Sequence, residues 1–240
     1  MSFIIEIATT DYTTTKSAIE GGADRIELCA ALSEGGTTPS FATIKICKEN
    51  FDVPFFPIVR SRGGDFYYSD EEIEIMLNDI SIIKQLGCEG VVAGLLNRDG
   101  ELPLKKLEKF IEAAYPMEFT FHRAFDRCKD PFKALQQLEN LGCQRILTSG
   151  QQPTAPEGIK LIKELINEAK NIIIMPGSGV RKENIKQLAT DTGAVEFHSS
   201  LRNKSISDMN FIHPSFSKTD YENPAVKASE VRELKKALLE

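Results

Sequence analysis

Nowhere in the chain do two cysteines stand as a C-x-x-C pair; the five thiols, Cys29, Cys47, Cys88, Cys128 and Cys143, are odd in number and widely spaced. That pattern excludes a disulfide framework and a zinc knuckle, and it reads as reduced thiols in a cytoplasmic protein. Basic residues are also short. With 29 Lys and Arg against 35 Asp and Glu the net charge is -6, which argues against a general nucleic-acid or anionic-membrane surface. The start of the chain carries no basic segment and reaches Glu6 after only three apolar residues, so neither a signal peptide nor a membrane span is expected there. What is present, 41% hydrophobic and 27% charged residues over 240 positions, is a globular composition of a length that suits one α/β barrel.

The order of elements supports the barrel. Strand-like runs fall at 3–8, 24–29, 54–59, 90–94, 118–122, 145–149, 172–175 and 195–199. Helical stretches lie between them: 12–21, one with Thr38 as N-cap and Pro39 at its first position running to about Asn50, 70–86 behind a Ser69/Glu72 capping box, 102–115, 131–142, 157–170, and one starting near Arg181. An irregular segment from about 203 to 223 precedes a closing helix from Pro224 to Leu239. Strict alternation of strand and helix means a parallel sheet, and eight such units close into a single-domain TIM (β/α)8 barrel over 1–240. A repeated entry turn points the same way: Gly22-Ala-Asp, Gly87-Cys-Glu, Gly142-Cys-Gln and Gly193-Ala-Val each end a helix and start a strand.

Barrel enzymes keep their chemistry at the C-terminal ends of the strands, and there this chain is polar. Glu6 and Glu27 end neighbouring strands; two carboxylates in a partly dry site push one pKa up, as a general acid or base requires. His122 and His198 are candidate proton shuttles or metal ligands, and Arg123 follows His122 directly. Arg60, Arg62 and Arg123 form a positive rim fitted to carboxylate or phosphate. The turn Gly177-Ser178-Gly179, together with Ser200 and Arg202 after the next strand, offers backbone N–H groups where barrels bind phosphate. Blander accounts stand beside these: a tight turn that needs glycine, and a buried ion-pair network joining Glu6, Glu27 and the two histidines to Arg25, Arg145 and Glu196. His213 lies in the irregular tail. Among the thiols only Cys29 and Cys128 fall near the mouth, and a Cu(I) site, which needs two or three soft ligands, would have to add Met175 or His122.

The chain resembles the CutC family of copper-homeostasis proteins to about Arg202. The carrying motifs are Gly21-Gly-Ala-Asp-Arg-Ile-Glu-Leu-Cys-Ala30, Glu34-Gly-Gly-Thr-Thr-Pro39, Arg62-Gly-Gly-Asp-Phe66 with Tyr68-Ser-Asp70, Thr120-Phe-His-Arg-Ala-Phe-Asp126, Leu147-Thr-Ser-Gly150, Met175-Pro-Gly-Ser-Gly-Val180 and Glu196-Phe-His198. The resemblance implies a cytoplasmic barrel, often a homo-oligomer, assigned to copper handling with Cu(I) held through cysteine, and Cys29 matches the cysteine of the Glu-Leu-Cys motif. The chain departs from the family pattern at Ala8, where a cysteine is common, and at Ser61, where a proline is common. Two functions follow as expectations. One is a copper-homeostasis protein with Cys29 as metal ligand; the other is an enzyme that uses acid/base chemistry on a small anionic or phosphorylated metabolite. The partner is accordingly a copper ion or a small anion.

Overall fold

Alternation along each strand sorts side chains into an outer apolar set and an inner polar one. The computed structural model describes residues 3–240. In β1 (Ile4–Thr9) and β2 (Arg25–Leu28), Ile5, Ile7, Ile26 and Leu28 join the large core that the surrounding helices cover. Glu6, Ala8, Arg25 and Glu27 take the other face and point into the lumen of a ring of strands. Such lumens are usually filled by branched apolar residues, so this polar interior calls for an explanation.

The ring is assembled from parallel pairs. β7 (Glu196–Ser199), β1 and β2 form one set, and β3 (Gly90–Ala93), β4 (Glu118–Phe121), β5 (Arg145–Thr148) and β6 (Ile173–Pro176) form another. The segment expected as a strand at 54–59 joins them as an irregular stave. Pro54 and Pro57 lack N–H donors, so only isolated bridges form, Ile26 to Phe55 and Ile58 to Val92. Its amides at Phe56 and Ile58 nevertheless bond back to β2, and that at Val59 bonds forward to Val92. β6 and β7 lie side by side and close the circle.

Around it pack α1 (Tyr12–Glu20), α2 (Phe41–Asn50), α3 (Asp70–Gln85), α4 (Leu104–Ala114), α5 (Pro131–Asn140), α6 (Ile159–Glu168), α7 (Ile185–Thr192) and α8 (Ala228–Leu239). The Ser69/Glu72 capping box on α3 is formed as expected. Several helix starts differ from expectation. Thr38 is occupied with Arg60, exchanging hydrogen bonds with its backbone, so Ser40 caps α2 instead. Asn184 ties up the Arg181 amide and the Gly179 carbonyl, which delays α7 to Ile185. The segment expected as irregular holds an antiparallel pair, β8 (Asn203–Ile206) with β9 (Glu222–Ala225), and α8 begins at Ala228 rather than at Pro224.

The repeated entry turn has a physical basis. Gly22, Gly87, Gly142 and Gly193 all adopt positive φ, between +75° and +93°. In three of the four, the residue two positions on accepts a backbone N–H near the start of the preceding stave: Asp24 from Ile5 at 2.9 Å, Glu89 from Phe55 at 2.8 Å and Gln144 from Phe119 at 2.6 Å. Val195 has no side-chain acceptor, and its carbonyl takes the Ile4 N–H instead. These side chains seal the floor of the barrel and leave the opposite end for chemistry.

Candidate active site

One continuous chain of charge runs up the lumen. At the floor, half-exposed Glu118 meets Arg145 at 3.0 Å, and Arg145 meets Glu196 at 2.6 Å. Glu196 then meets Arg25 at 2.6 Å, and Arg25 meets Glu6 at 2.5 Å. Glu6 in turn accepts from His198 Nδ1 at 2.8 Å, and His198 Nε2 lies 3.7 Å from Glu27. The Cys29 thiol donates to Glu27 at 3.4 Å. The guanidinium groups of Arg25 and Arg145 sit over the Phe56 ring at 4.9 and 5.5 Å. That ring fits because position 90 is glycine: a Cβ there would stand 2.2 Å from it. Buried charges persist only when paired, and here nearly every one is.

The chain ends in groups with shifted acidity. Burial resists ionisation of Glu6, but Arg25 and His198 together overcome it and hold the carboxyl far below the usual range. Burial pushes Glu27 the other way, up, with Glu6 adding to the rise. His198 is raised despite its burial, because Glu27 and Glu6 face its two nitrogens. An ionised Glu6 behind Nδ1 fixes the ring and leaves Nε2 facing Glu27 across a gap wider than a hydrogen bond. A carboxyl with raised pKa beside an oriented imidazole is an acid–base pair.

These two groups open onto a cavity of about 200 Å³ at the strand ends, lined also by Arg60, Phe66, His122, Arg123, Arg181 and Arg202. One wall is a backbone cradle. Ser178 (φ +74°), Gly179 (φ +73°) and Leu201 (φ +39°) are left-handed, and the amides of Ser178, Gly179, Val180, Ser200 and Leu201 donate to no acceptor among the described residues. Successive amides in such turns make an anion-binding concavity, and strain in a residue as bulky as Leu201 is the kind retained at functional sites. A larger groove, about 730 Å³, runs between the end of β1 and β9; of its charged residues, Lys204 and Glu222 neutralise each other at 2.6 Å.

The structure distributes the expected site residues as follows. Glu6, Glu27 and His198 come together. Arg60, Ser178, Gly179, Ser200 and Arg202 line the cavity, whereas the Gly177 amide is spent on Thr148. Arg62 points away, bound to Glu72 at 2.6 Å and Asp65 at 3.0 Å. Arg123 lines the cavity and is fixed by Asp126 at 2.7 Å and Ser149 at 2.8 Å. His122 is present, but burial and Arg60 depress its pKa to about 3, so it is neutral. Residues not foreseen include Arg181, which read as the first turn of a helix although its place directly after Gly177-Ser178-Gly179-Val180 marked it as a loop residue. Asp126 binds Thr148, Ser149, Gln151 and Arg123 and so builds the loop after β5.

The donors do not fit a built copper site. Cys29 is fully buried with its thiol raised well above the usual range by burial and by Glu27. Met175 Sδ is deep in the lumen against Arg25 at 3.2 Å, and Cys128 Sγ lies against Gln151 at 3.6 Å. Among the described residues no three His, Cys, Asp or Glu side chains are placed to hold a metal ion.

Comparison with known proteins accords with the barrel. The CutC protein of Streptococcus agalactiae superposes with a TM-score of 0.79 at 32% identity, over 82% of this chain and 98% of that one. Phosphoribosyl anthranilate isomerase of Thermotoga maritima, 12% identical with a TM-score of 0.62 over 100% of this chain and 99% of that one, shares the fold. A CutC family protein of Parabacteroides distasonis is 49% identical over 213 residues, 88% of each chain. The human protein named copper homeostasis protein cutC homolog is 44% identical over 89% of this chain and 78% of its own length. The model of the CutC family matches residues 3–203, and with these relatives it shows that the chain belongs to the CutC family.

Proposed function

We propose that this protein serves copper homeostasis in the cytoplasm, the role carried in the name of its human relative. Its working part, on this reading, is an anion-binding, acid–base pocket rather than a built copper centre. The molecular half of the proposal rests on one observation: Glu27 and His198 open onto the same small cavity as Ser178, Gly179 and Ser200, which belong to a strained cradle of unused amides at 178–180 and 200–201. Arg181 and Arg202 add positive charge beside that cradle, so an inorganic phosphate or phosphoryl group sits there with charge-assisted hydrogen bonds. Glu27, its pKa raised by burial, and His198, backed by Glu6, then give or take a proton on the bound molecule. The class is a TIM-barrel enzyme acting on a small phosphorylated metabolite.

Titration of the protein with inorganic phosphate, followed by amide chemical shifts, tests it. Residues 178–180 and 200–202 are expected to shift, and Arg202→Ala is expected to weaken binding about tenfold or more. No shift at the cradle sinks the reading. The direct copper reading rests on Cys29 alone, and an anaerobic Cu(I) competition decides it. Equal affinity for wild type and Cys29→Ser removes the thiol as a ligand; a marked loss in the variant would replace the pocket reading with a thiol site.

A further inference from the structure

The cavity has a second wall that the phosphate cradle does not explain. Going round the barrel in the order β7, β1, β2, the 54–59 stave, β3, β4, β5, β6, the cradle loops follow β6 and β7. Arg60 follows the 54–59 stave and His122 follows β4, each three staves round the ring from β7. Both side chains line the cavity and both are buried, at 3% and 4% exposure. His122 Nδ1 accepts the Ala124 amide at 3.1 Å, so the proton of the neutral ring is on Nε2. That Nε2 is buried with no partner among the described residues, and so is Arg60 Nε. The other guanidinium nitrogens of Arg60 are committed to the carbonyls of Glu34, Gly36 and Gly64.

The unpaired imidazole is held in place deliberately. Phe66 lies 4.9 Å from the His122 ring and 4.9 Å from the Arg60 guanidinium carbon, covering both. Position 94 is glycine, and a Cβ there would stand 2.5 Å from His122 Nδ1. A buried donor left without an acceptor costs about 1–3 kcal/mol, so a packed ring in the cavity wall that carries one calls for an acceptor, which a ligand oxygen in that cavity would supply.

We propose that Arg60 and His122 form a second subsite, opposite the cradle, that binds a carboxylate or carbonyl oxygen. The ligand is then a small two-headed molecule, phosphorylated at one end and carrying that oxygen at the other. This rests on the phosphate reading of the cradle. The acid–base pair lines the wall between the two subsites, since Glu27 is on β2 and His198 on β7, and so faces the middle of such a molecule. A cavity of about 200 Å³ takes only a short one.

The test compares inorganic phosphate with 2-phosphoglycolate, which has both heads, on the full chain. 2-Phosphoglycolate is expected to bind roughly tenfold to a hundredfold more tightly, as one or two hydrogen bonds to a charged oxygen provide. His122→Phe, which keeps the ring against Phe66, is expected to erase that margin while leaving phosphate affinity unchanged. The chain has three histidines, so 15N-histidine spectra of the wild type read the same point without any variant. The His122 Nε2–H signal should move with 2-phosphoglycolate and stay put with phosphate. Equal affinity for the two probes, or an unmoved His122 signal, overturns the second subsite and leaves the cradle standing. Binding of neither probe overturns both.

Discussion

Replacing His122 by phenylalanine should change how stability responds to acid, and the size of the effect follows from the ring's burial. The His122 pKa falls from 6.5 to about 3 in the folded protein, first because the cation would lose its hydration and second because Arg60 lies close. Because the folded value is below the unfolded one, the unfolded chain binds the proton first as pH drops. The contribution is therefore complete above about pH 6.5 and is lost progressively as pH falls toward 3. Each pH unit inside that window removes about 1.4 kcal/mol, so wild type should lose about 2–3 kcal/mol from this residue between pH 6.5 and 4.5. Phenylalanine cannot titrate. At pH 8 it leaves the Ala124 amide without its acceptor, a cost of about 1–2 kcal/mol. Urea unfolding of both proteins from pH 8 to 4.5 should show the variant less stable at the alkaline end and equal or more stable at the acid end. The carboxylates of the lumen titrate in both proteins, so their contributions cancel in the difference. Two stability curves that stay parallel through the whole range would refute the argument that His122 is buried as a neutral ring.

Glu196→Gln should destabilise the fold by about 3–5 kcal/mol, because it leaves Arg25 and Arg145 facing each other with one compensating carboxylate removed; a loss under about 1 kcal/mol in urea unfolding would mean the network carries little. Gly90→Ala places a Cβ where the Phe56 ring now lies, 2.2 Å away, and should cost about 1–3 kcal/mol. In a double-mutant cycle Gly90→Ala should cost less in a Phe56→Ala background than in the wild type, and an equal cost in both would show that the clash is not the cause. Glu6→Gln should bring the His198 pKa down, since one of the two carboxylates that raise it is gone; an unchanged His198 titration by NMR would detach Glu6 from the acid–base pair.

The regular part of the barrel was legible because period and punctuation agree in it. Strands alternate, helices carry apolar stripes, and four glycines with positive φ mark the strand entries. The exceptions arise where a side chain was captured by something distant in sequence. Thr38 lost its capping role to Arg60, 22 residues away, and Arg62 was drawn out of the mouth by Glu72. The 54–59 stave announced itself as a strand by its apolar run, yet its two prolines reduced the pairing to single bridges. In the site, residue types were readable and directions were not. Nothing in a linear reading distinguishes His198, backed by Glu6, from His122, whose Nδ1 is taken by its own loop and whose Nε2 is buried without a partner among the described residues.

That distinction bears on why a lone cysteine belongs beside Glu27. Ala8 and Cys29 pack in one small luminal cluster with Phe56, Ile58 and Val92, and Ala8 is the strand partner of Glu27. With a methyl group at position 8, the only hydrogen-bond donor to the Glu27 carboxyl among the described residues is the Cys29 thiol, a weak donor that burial keeps protonated. A strong donor there would stabilise the carboxylate and lower its pKa, and an apolar side chain would leave its oxygen bare. A thiol does neither in full. It satisfies Glu27 weakly enough for burial to dominate, and the carboxyl stays on the raised side, where exchange of a proton with His198 or a bound molecule is easiest. The cysteine of the Glu-Leu-Cys motif thus has, beside this carboxyl, a reason to be present that requires no metal.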